Sequence, residues 1–307
     1  MSRDRQGRHR SGRRAFRPGL DDRTCGQLEG RQLLSTVSIF NNHDDPVFHV
    51  QKNIQYHTAF GGKIAKIRDT DLELYNVVLT GTGSVRAKPM SGGRVMLIVD
   101  GSDASTVISI NPESRQFRKG TAHLYPPGAT LGDHILHVGA IKVRTGVISQ
   151  ILGYRTADLS GPINLPGASA VDRIAFIAYK PGAAITTGGD LNTLDSFTDM
   201  NLAGGPGIQV GRDLNWVNIG GNLTVSDGSS LSVARDVGLT LQPAKGTDPG
   251  GAGGLVGGNV NIAPGGAFTI GRALQSTFLV QGRTDGASRI TIPFGAANYV
   301  SRGGIFP

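Results

Sequence analysis

Apolar residues alternate with small polar residues and glycine along most of this chain. Runs such as VFHVQKNIQYH, DLELYNVVLTG, GRVMLIVDG and HILHVGAIKVR are each bounded by glycine, asparagine, aspartate or serine. This alternation is typical of β-strands that bury one face and are joined by tight turns. The segment SQILGYRTADL comes nearest to a helical spacing of apolar residues, but its glycine weakens that interpretation. The pattern therefore predicts an all-β protein.

One turn in the first half of the chain has two possible interpretations. In SGGRVMLIVDGSDASTVISIN, residues 100–103 separate two apolar stretches. A glycine and aspartates at this point predict a turn. The turn either closes a hairpin or forms a corner between two sheets, and the sequence leaves both open.

The second half of the chain repeats a four-residue phrase, [Gly/Ala]-[Gly/Arg]-[Asp/Asn]-[Leu/Val]. The phrase begins at Gly188, Gly211, Ala234 and Gly257, each 23 residues after the last. Another copy begins at Gly220, and a relative, Gly-Arg-Ala-Leu, begins at residue 271. A fixed period in this range indicates a solenoid.

Apolar residues fall into columns when the chain is folded at this period. The columns are Ile185, Ile208 and Leu231; Thr187, Val210, Val233 and Val256; Leu191, Leu214, Val237 and Val260; and Thr193, Trp216, Leu239 and Ile262. Residues two apart on a strand share a face, so we expect all four columns to face the core. On this interpretation Trp216 packs inside instead of stacking on a sugar. The columns predict a right-handed parallel β-helix over residues 181–307, with coils of about 23 residues.

The repeated phrase predicts one corner in each coil. We expect its glycines to turn the chain with positive φ, and Asp190, Asp213, Asp236 and Asn259 to form one column that caps the turns. Residues 242–258, QPAKGTDPGGAGGLVGG, predict a loop that leaves the stack. The expected organisation is a basic disordered leader over residues 1–36, a β-rich domain over 37–180 and the β-helix over 181–307. The two halves are also compatible with one continuous solenoid.

The positive charge is concentrated at the start of the chain. The net charge is +8, and residues 1–36 hold nine arginines and four acidic residues, while the rest holds 22 basic and 19 acidic residues. A nucleic-acid-binding arm fits this charge, but no aromatic pattern accompanies it, so no nucleic acid is expected as the main partner. No apolar run approaches the roughly 18 residues of a membrane span. The single cysteine excludes an intrachain disulfide.

The N-terminal segment carries a short recognisable element. In LEGRQLLST, residues 28–36, Leu28, Glu29, Arg31, Leu33, Leu34 and Ser35 fit the pattern Leu-Glu-x-Arg-x-Leu-Leu-Ser. This element, after a basic tract and before an all-β body, resembles the N-terminal signature of exported surface proteins of planctomycete bacteria. The glycine-rich repeats resemble those of the same proteins and, more loosely, haemagglutinin-type adhesins. The resemblance implies export to the cell surface or the extracellular space.

The aspartate column is the main candidate for chemistry. Asp190, Asp213 and Asp236 are candidate calcium ligands, since β-helix enzymes that act on polysaccharides place carboxylates on neighbouring coils. Arg212 and Arg235 follow in the same phrase and compensate part of that charge, which favours a structural corner. No cofactor other than calcium is considered.

Histidines offer a second, weaker set of candidates. His43, Asp44, Asp45, His49 and His57 are clustered, but their spacing fits no zinc motif. His134 and His137 would face opposite sides of a strand, and we expect them to be structural. No nucleophile elbow, phosphate loop or metalloprotease motif is present, so no catalytic residue is assigned.

These observations favour an exported, non-enzymatic structural or adhesive protein of the cell surface, with a polysaccharide as partner. The first alternative is an enzyme that cleaves polysaccharides with Asp213 and Asp236. The second is nucleic-acid binding by the basic N-terminal arm.

Overall fold

The computed structural model describes residues 49–51, 54–71, 73–113, 132–238 and 252–304. The chain from Asp44 to Pro307 forms one compact unit. The expected leader over residues 1–36 lies outside the described residues.

The described residues are almost entirely β-strand and turn. Short 3₁₀ turns occur at Phe60–Gly62, Ala287–Arg289 and Ala296–Asn298. The strands are β1 (His49–Gln51), β2 (Ile54–Ala59), β3 (Ile64–Arg68), β4 (Leu74–Thr80), β5 (Ser84–Pro89), β6 (Val95–Asp100), β7 (Val107–Pro112), β8 (Leu136–Val143), β9 (Gln150–Leu152), β10 (Ala157–Leu159), β11 (Pro162–Leu165), β12 (Ala170–Phe176), β13 (Ala178–Tyr179), β14 (Ala184–Thr187), β15 (Asp190–Ser196), β16 (Met200–Leu202), β17 (Gly207–Val210), β18 (Leu214–Ile219), β19 (Leu223–Val225), β20 (Ser230–Val233), β21 (Ala252–Val256), β22 (Val260–Ile262), β23 (Ala267–Ile270), β24 (Thr277–Val280), β25 (Thr284–Asp285), β26 (Ile290–Thr291) and β27 (Tyr299–Ser301). The prediction of an all-β fold is confirmed.

The N-terminal strands pair antiparallel and close one end of the structure. In the first sheet, called sheet 1, β1, β2, β3, β4 and β7 are antiparallel neighbours, and β7 then pairs parallel with β9. In the second sheet, called sheet 2, β5 and β6 form an antiparallel pair, and β6 pairs parallel with β8. Both sheets therefore change from antiparallel to parallel pairing at the same level.

From β8 onward the chain winds into a parallel β-helix. Each coil contributes one strand to sheet 1 and two to sheet 2, as β15, β16 and β17 do. The coils above and below pair with these strands through parallel ladders, so the backbone groups of each coil are satisfied by its neighbours. The stack starts well before residue 181, where the sequence repeat led us to place it, because the earlier coils lack the phrase.

The turn at residues 100–103 is a corner between sheets. It joins β6 of sheet 2 to β7 of sheet 1, and the two strands do not pair with each other. The hairpin interpretation is therefore wrong and the corner interpretation is confirmed.

Two of the four predicted columns face the core over the coils that share the 23-residue period. Ile185, Ile208 and Leu231 are stacked in register and fully buried. Thr187, Val210 and Val233 stack in the same way on the same strands. Leucines that stack on leucines at one phase fill the interior of each coil, which is why the same residue type recurs there.

The column of Thr193 and Trp216 does not face the core. The two residues are in register, as predicted, but each is half-buried, while the next residues, Leu194 and Val217, point inward. Strict alternation fails because Leu191 and Leu214 are also buried, three positions before those residues. The expectation that Trp216 packs in the core is wrong.

One coil contains an insertion that shifts the repeat. Val217 pairs with Gly254 and Leu223 pairs with Val260, so this coil is 37 residues long. Val256, Val260 and Ile262 therefore stack on Ile219, Leu223 and Val225, and not in the columns expected for them. The true continuation of the Leu191 column is Leu274, which pairs with Val237. Leu239 lies outside the described residues.

The glycines of the phrase are not required for positive φ. Positive φ occurs instead at Gly207 (74°) and Gly228 (79°), at the corner between the second and third strands of a coil. Gly220 is needed for close approach, because a Cβ there would collide with the carbonyl oxygen of Phe197 in the coil below. The prediction of a corner was right, but its reason was wrong.

Candidate functional site

Asp190, Asp213 and Asp236 form a ladder along one corner of the helix, called corner A, which lies between the third strand of a coil and the first strand of the next. Oδ1 of Asp190 accepts the backbone N–H of Asp213 at 3.2 Å, and Oδ1 of Asp213 accepts that of Asp236 at 3.1 Å. Oδ1 of Asp236 accepts the N–H of Ala273 at 3.0 Å. Each side chain thus caps an amide of the next coil, as predicted for a corner residue.

An arginine of the next coil binds each of these aspartates. Arg235 lies 3.0 Å from Asp213, and Nε of Arg272 lies 2.9 Å from both carboxylate oxygens of Asp236. Asp213 and Asp236 are 5% and 0% exposed. A general acid or base has to reach its substrate, so these two carboxylates do not fit the role considered for them. Arg272 also holds the pKa of Asp236 below its usual value.

Asn259 belongs to a different corner, called corner B, between the first and second strands of a coil. Oδ1 of Asp199 accepts the N–H of Asn222 at 2.7 Å, and Oδ1 of Asn222 accepts that of Asn259 at 2.9 Å. Oδ1 of Asn259 in turn accepts the N–H of Arg283 at 2.8 Å. The assignment of Asn259 to the aspartate column is therefore wrong, and the phrase marks two corners in each coil.

The histidines and acids of the first half are dispersed. His43, Asp44 and Asp45 lie outside the described residues, as does the side chain of His49, and His57 is half-buried on β2. His134 precedes β8, so strand alternation does not apply to it. Its Nδ1 lies 2.6 Å from buried Glu73, and Nδ1 of His137 lies 3.0 Å from buried Asp158.

A groove of about 530 Å³ opens on the outer face of sheet 1. Strands β7, β9, β12, β15 and β18 supply its floor, and residues of corner B supply its wall. Tyr154 and Phe197 are 38% and 48% exposed there, and both line the groove. Exposed rings of this size are uncommon on a folded protein and mark binding surfaces.

Two arginines hold the rings of the groove in place. The guanidinium of Arg155 lies 4.3 Å from the ring centroid of Phe197, and that of Arg173 lies 5.0 Å from the ring centroid of Tyr154. Both distances fit cation–π contacts. Nε of Arg173 also donates to Asp195 Oδ2 at 2.6 Å. The groove therefore presents rings and guanidinium groups in fixed positions.

The backbone explains why these side chains meet. The turn after β9 is tied down because Thr156 Oγ1 donates to the carbonyl of Ile110 at 2.6 Å, and Gly153 N–H donates to the carbonyl of Ala175 at 2.7 Å. Phe197 is exposed because Gly220 follows it in the next coil and has no side chain to cover the ring.

The acidic group of the groove is unusual in its surroundings. Burial raises the pKa of Asp195, while Arg173 and a hydrogen bond with Asn218 offset part of that effect. The carboxyl group is only 5% exposed and bound to Arg173. Burial also raises the pKa of the Tyr154 phenol.

Sequence reasoning did not identify Tyr154, Arg155 or Phe197. The reason is the unequal length of the coils: Leu152 pairs with Ala175, 23 residues later, but Ala175 pairs with Asp195, 20 residues later. A fixed period therefore does not align the turn after β9 with the turn after β15. The clustering of an exposed tyrosine, phenylalanine and arginine beside strand ends was the available signal.

No family model, curated protein or solved structure matches this chain. Within the described ranges, no helix has the length and apolar character needed to cross a membrane. Among the same residues, no three His, Cys, Asp or Glu side chains are grouped to hold a metal ion.

Proposed function

We propose that this chain is an exported, non-enzymatic protein with a structural or adhesive function at the cell surface. The observation that carries the proposal is the groove on sheet 1, where Tyr154 and Phe197 are exposed on a rigid stack of coils. Aromatic rings on a rigid surface favour binding, because little side-chain entropy is lost when a partner covers them.

The architecture supports a structural function. Parallel ladders and two side-chain ladders connect every coil to the next, and corner A compensates its own charges. Such a stack needs no disulfide, which suits a chain with a single cysteine. The basic leader with its Leu28–Ser35 element supports export, as stated above for its resemblance.

The alternative of a polysaccharide-cleaving enzyme at Asp213 and Asp236 is less well supported. Both carboxylates are buried and bound to arginines. Replacing both by asparagine tests it: unchanged cleavage by the double variant, in a preparation that does cleave, excludes that corner as the active site.

Export is tested by protease shaving of intact native cells, followed by mass spectrometry of the released peptides. We expect peptides from residues 49–304 to be released while a cytoplasmic marker protein stays intact. A matched strain that produces the chain without residues 1–36 should retain the protein inside the cell. Release only after lysis contradicts the proposal and favours a function of the arginine-rich segment inside the cell.

A further inference from the structure

The groove has an unbalanced charge. Its charged lining residues are Arg155, Arg173 and Asp195. Asp195 is paired with Arg173, whereas none of the ion pairs between described residues involves Arg155. One positive charge therefore faces the open side of the groove without compensation from these lining side chains.

From this geometry we infer that the groove binds an anionic polysaccharide, with Arg155 as the residue that recognises its carboxylate or sulfate groups. The inference rests on the proposed binding function and specifies its ligand class. The guanidinium is planar and offers paired N–H donors that match an anionic oxygen pair. The contact with Phe197 restrains it in advance, which lowers the entropy cost of binding.

The rest of the groove suits sugar rings. Tyr154 and Phe197 supply apolar faces on which the C–H face of a pyranose can pack. Asn111, Ser109 and Asn218 line the same space with amide and hydroxyl groups that exchange hydrogen bonds with sugar hydroxyls. Coils stacked at about 4.8 Å allow the groove to run across several strands, so a chain polymer fits better than a single sugar.

Asp195 has a positioning function. Its carboxylate fixes Arg173 at 2.6 Å, and Arg173 in turn supports the ring of Tyr154. Removal of Asp195 frees Arg173, so it adds positive charge to the groove but loosens Tyr154.

Binding of the purified full-length chain to four probes tests the inference: polygalacturonate, dextran sulfate, neutral dextran and an oligothymidylate. We expect Arg155→Gln and Phe197→Ala each to weaken binding to an anionic polysaccharide about 10-fold or more. Arg155→Lys should restore part of the loss, since it keeps the charge but not the planar donors. Added salt should weaken binding by the wild-type chain.

Arg283→Gln is the matched control. Arg283 is an exposed arginine paired with exposed Asp285, outside the groove, and its replacement should leave binding unchanged. The basic N-terminal segment is present in every variant, so it contributes equally to all of them. The difference between wild type and Arg155→Gln therefore reports on the groove.

Several outcomes overturn the inference. They are equal binding by wild type and Arg155→Gln, an equal loss with Arg283→Gln, a preference for neutral dextran, or a preference for the oligothymidylate. Preference for polygalacturonate over dextran sulfate identifies carboxylate as the recognised group, and the reverse identifies sulfate. Protease shaving is independent of these assays: surface exposure without polyanion binding leaves the structural proposal standing, and binding by an intracellular chain refutes export alone.

Discussion

Single residues at the corners couple one coil to the next. Asp236 accepts an amide of the next coil and two bonds from Arg272, while it is fully buried. Buried acceptors of this kind are expensive to remove because the donors lose their partners. The repeated aspartate is therefore explained by backbone amides that point along the helix axis at the corner.

Replacing Asp236 by alanine tests this coupling. We expect a loss of about 2 to 4 kcal/mol in the free energy of unfolding, because a buried amide and Arg272 lose their acceptor. Asp236→Asn should lose less, since its amide oxygen still accepts the N–H of Ala273. Urea denaturation measures both, and Asp285→Ala, an exposed aspartate paired with Arg283, serves as control. Equal effects of Asp236→Ala and the control contradict the explanation.

Calcium removal addresses the same ladder. The carboxylates of Asp190, Asp213 and Asp236 are engaged by amides and arginines, so they need no cation for stability. We expect the same melting temperature in excess chelator and in excess calcium chloride. A higher melting temperature in calcium that disappears in Asp213→Asn indicates a calcium site at this corner.

Asp69 makes stability depend on pH. Burial, aided by Glu73 and Asp71, raises the pKa of this carboxyl from 3.8 to about 7, although it accepts the N–H groups of Asp71 and Glu73. A folded-state pKa above the unfolded value means that the folded state holds the proton more tightly. This contribution is complete below about pH 4 and is lost as the pH rises through 7.

Asp69→Asn removes that dependence while its side-chain oxygen keeps both backbone hydrogen bonds. We expect the variant to match the wild type near pH 4 and to exceed it by about 2 to 4 kcal/mol at pH 8. Urea denaturation across this range measures the difference, which cancels the contributions of the other titrating groups. Parallel profiles for the two proteins contradict the raised pKa.

At the scale of elements, the long coil shows how the stack accepts an insertion. Val237 still pairs with Leu214, and Gly254 pairs with Val217, so the chain leaves sheet 1 after Gly238 and rejoins it at Gly253. An added Cβ on Gly238 would lie 3.1 Å from Cα of Gly253, so the two glycines are neighbours in space. They occupy the place that Asn215 and Trp216 take in the coil below.

Deletion of residues 239–252 should therefore restore a coil of 23 residues. We expect the shortened chain to fold with a free energy of unfolding equal to or slightly above that of the full chain, because closing a shorter loop costs less entropy. Deletion of residues 216–229, which is equally long but lies within a regular coil, should abolish cooperative unfolding. Circular dichroism during urea denaturation distinguishes the outcomes, and failure of the first deletion to fold contradicts this placement of the insertion.

Sequence patterns identified the strands of the regular coils but not the sheet positions of their corner residues. The columns through Ile208 and Val210 were predicted because apolar side chains must stack inside a coil of constant length. Phe197 and Tyr154 were missed because one coil is three residues shorter than its neighbours, which moves the phase of every earlier corner.

At the scale of the whole molecule, both ends of the stack need protection. Antiparallel strands β1 to β6 cover the first coils. At the other end, Phe278 stacks on Tyr299 with ring centroids 5.4 Å apart, and the buried hydroxyl of Tyr299 lies 3.0 Å from Thr284 Oγ1. Covered ends prevent edge strands from pairing with other chains.

Truncation after Gln275 removes β24 to β27 and exposes the edges of β21 to β23. We expect this shortened chain to form larger assemblies than the full chain, because open strand edges recruit further strands. Light scattering after size-exclusion chromatography measures the mass of both proteins at equal concentration. A truncated chain that keeps the same state of assembly and unfolds cooperatively shows that the last coil is not a protective cap.

The sequence by itself determined that the chain is all-β, that its second half repeats about every 23 residues and that aspartates fill a corner. Those properties follow from local alternation and from the stacking of like residues, which a linear pattern records directly. Only the tertiary structure decided where the stack begins, which coil holds the insertion, and that Tyr154, Arg155 and Phe197 meet in a groove. Ladders between coils fix neighbours through backbone hydrogen bonds, and corners absorb extra or missing residues, so spatial phase departs from sequence spacing wherever a coil changes length.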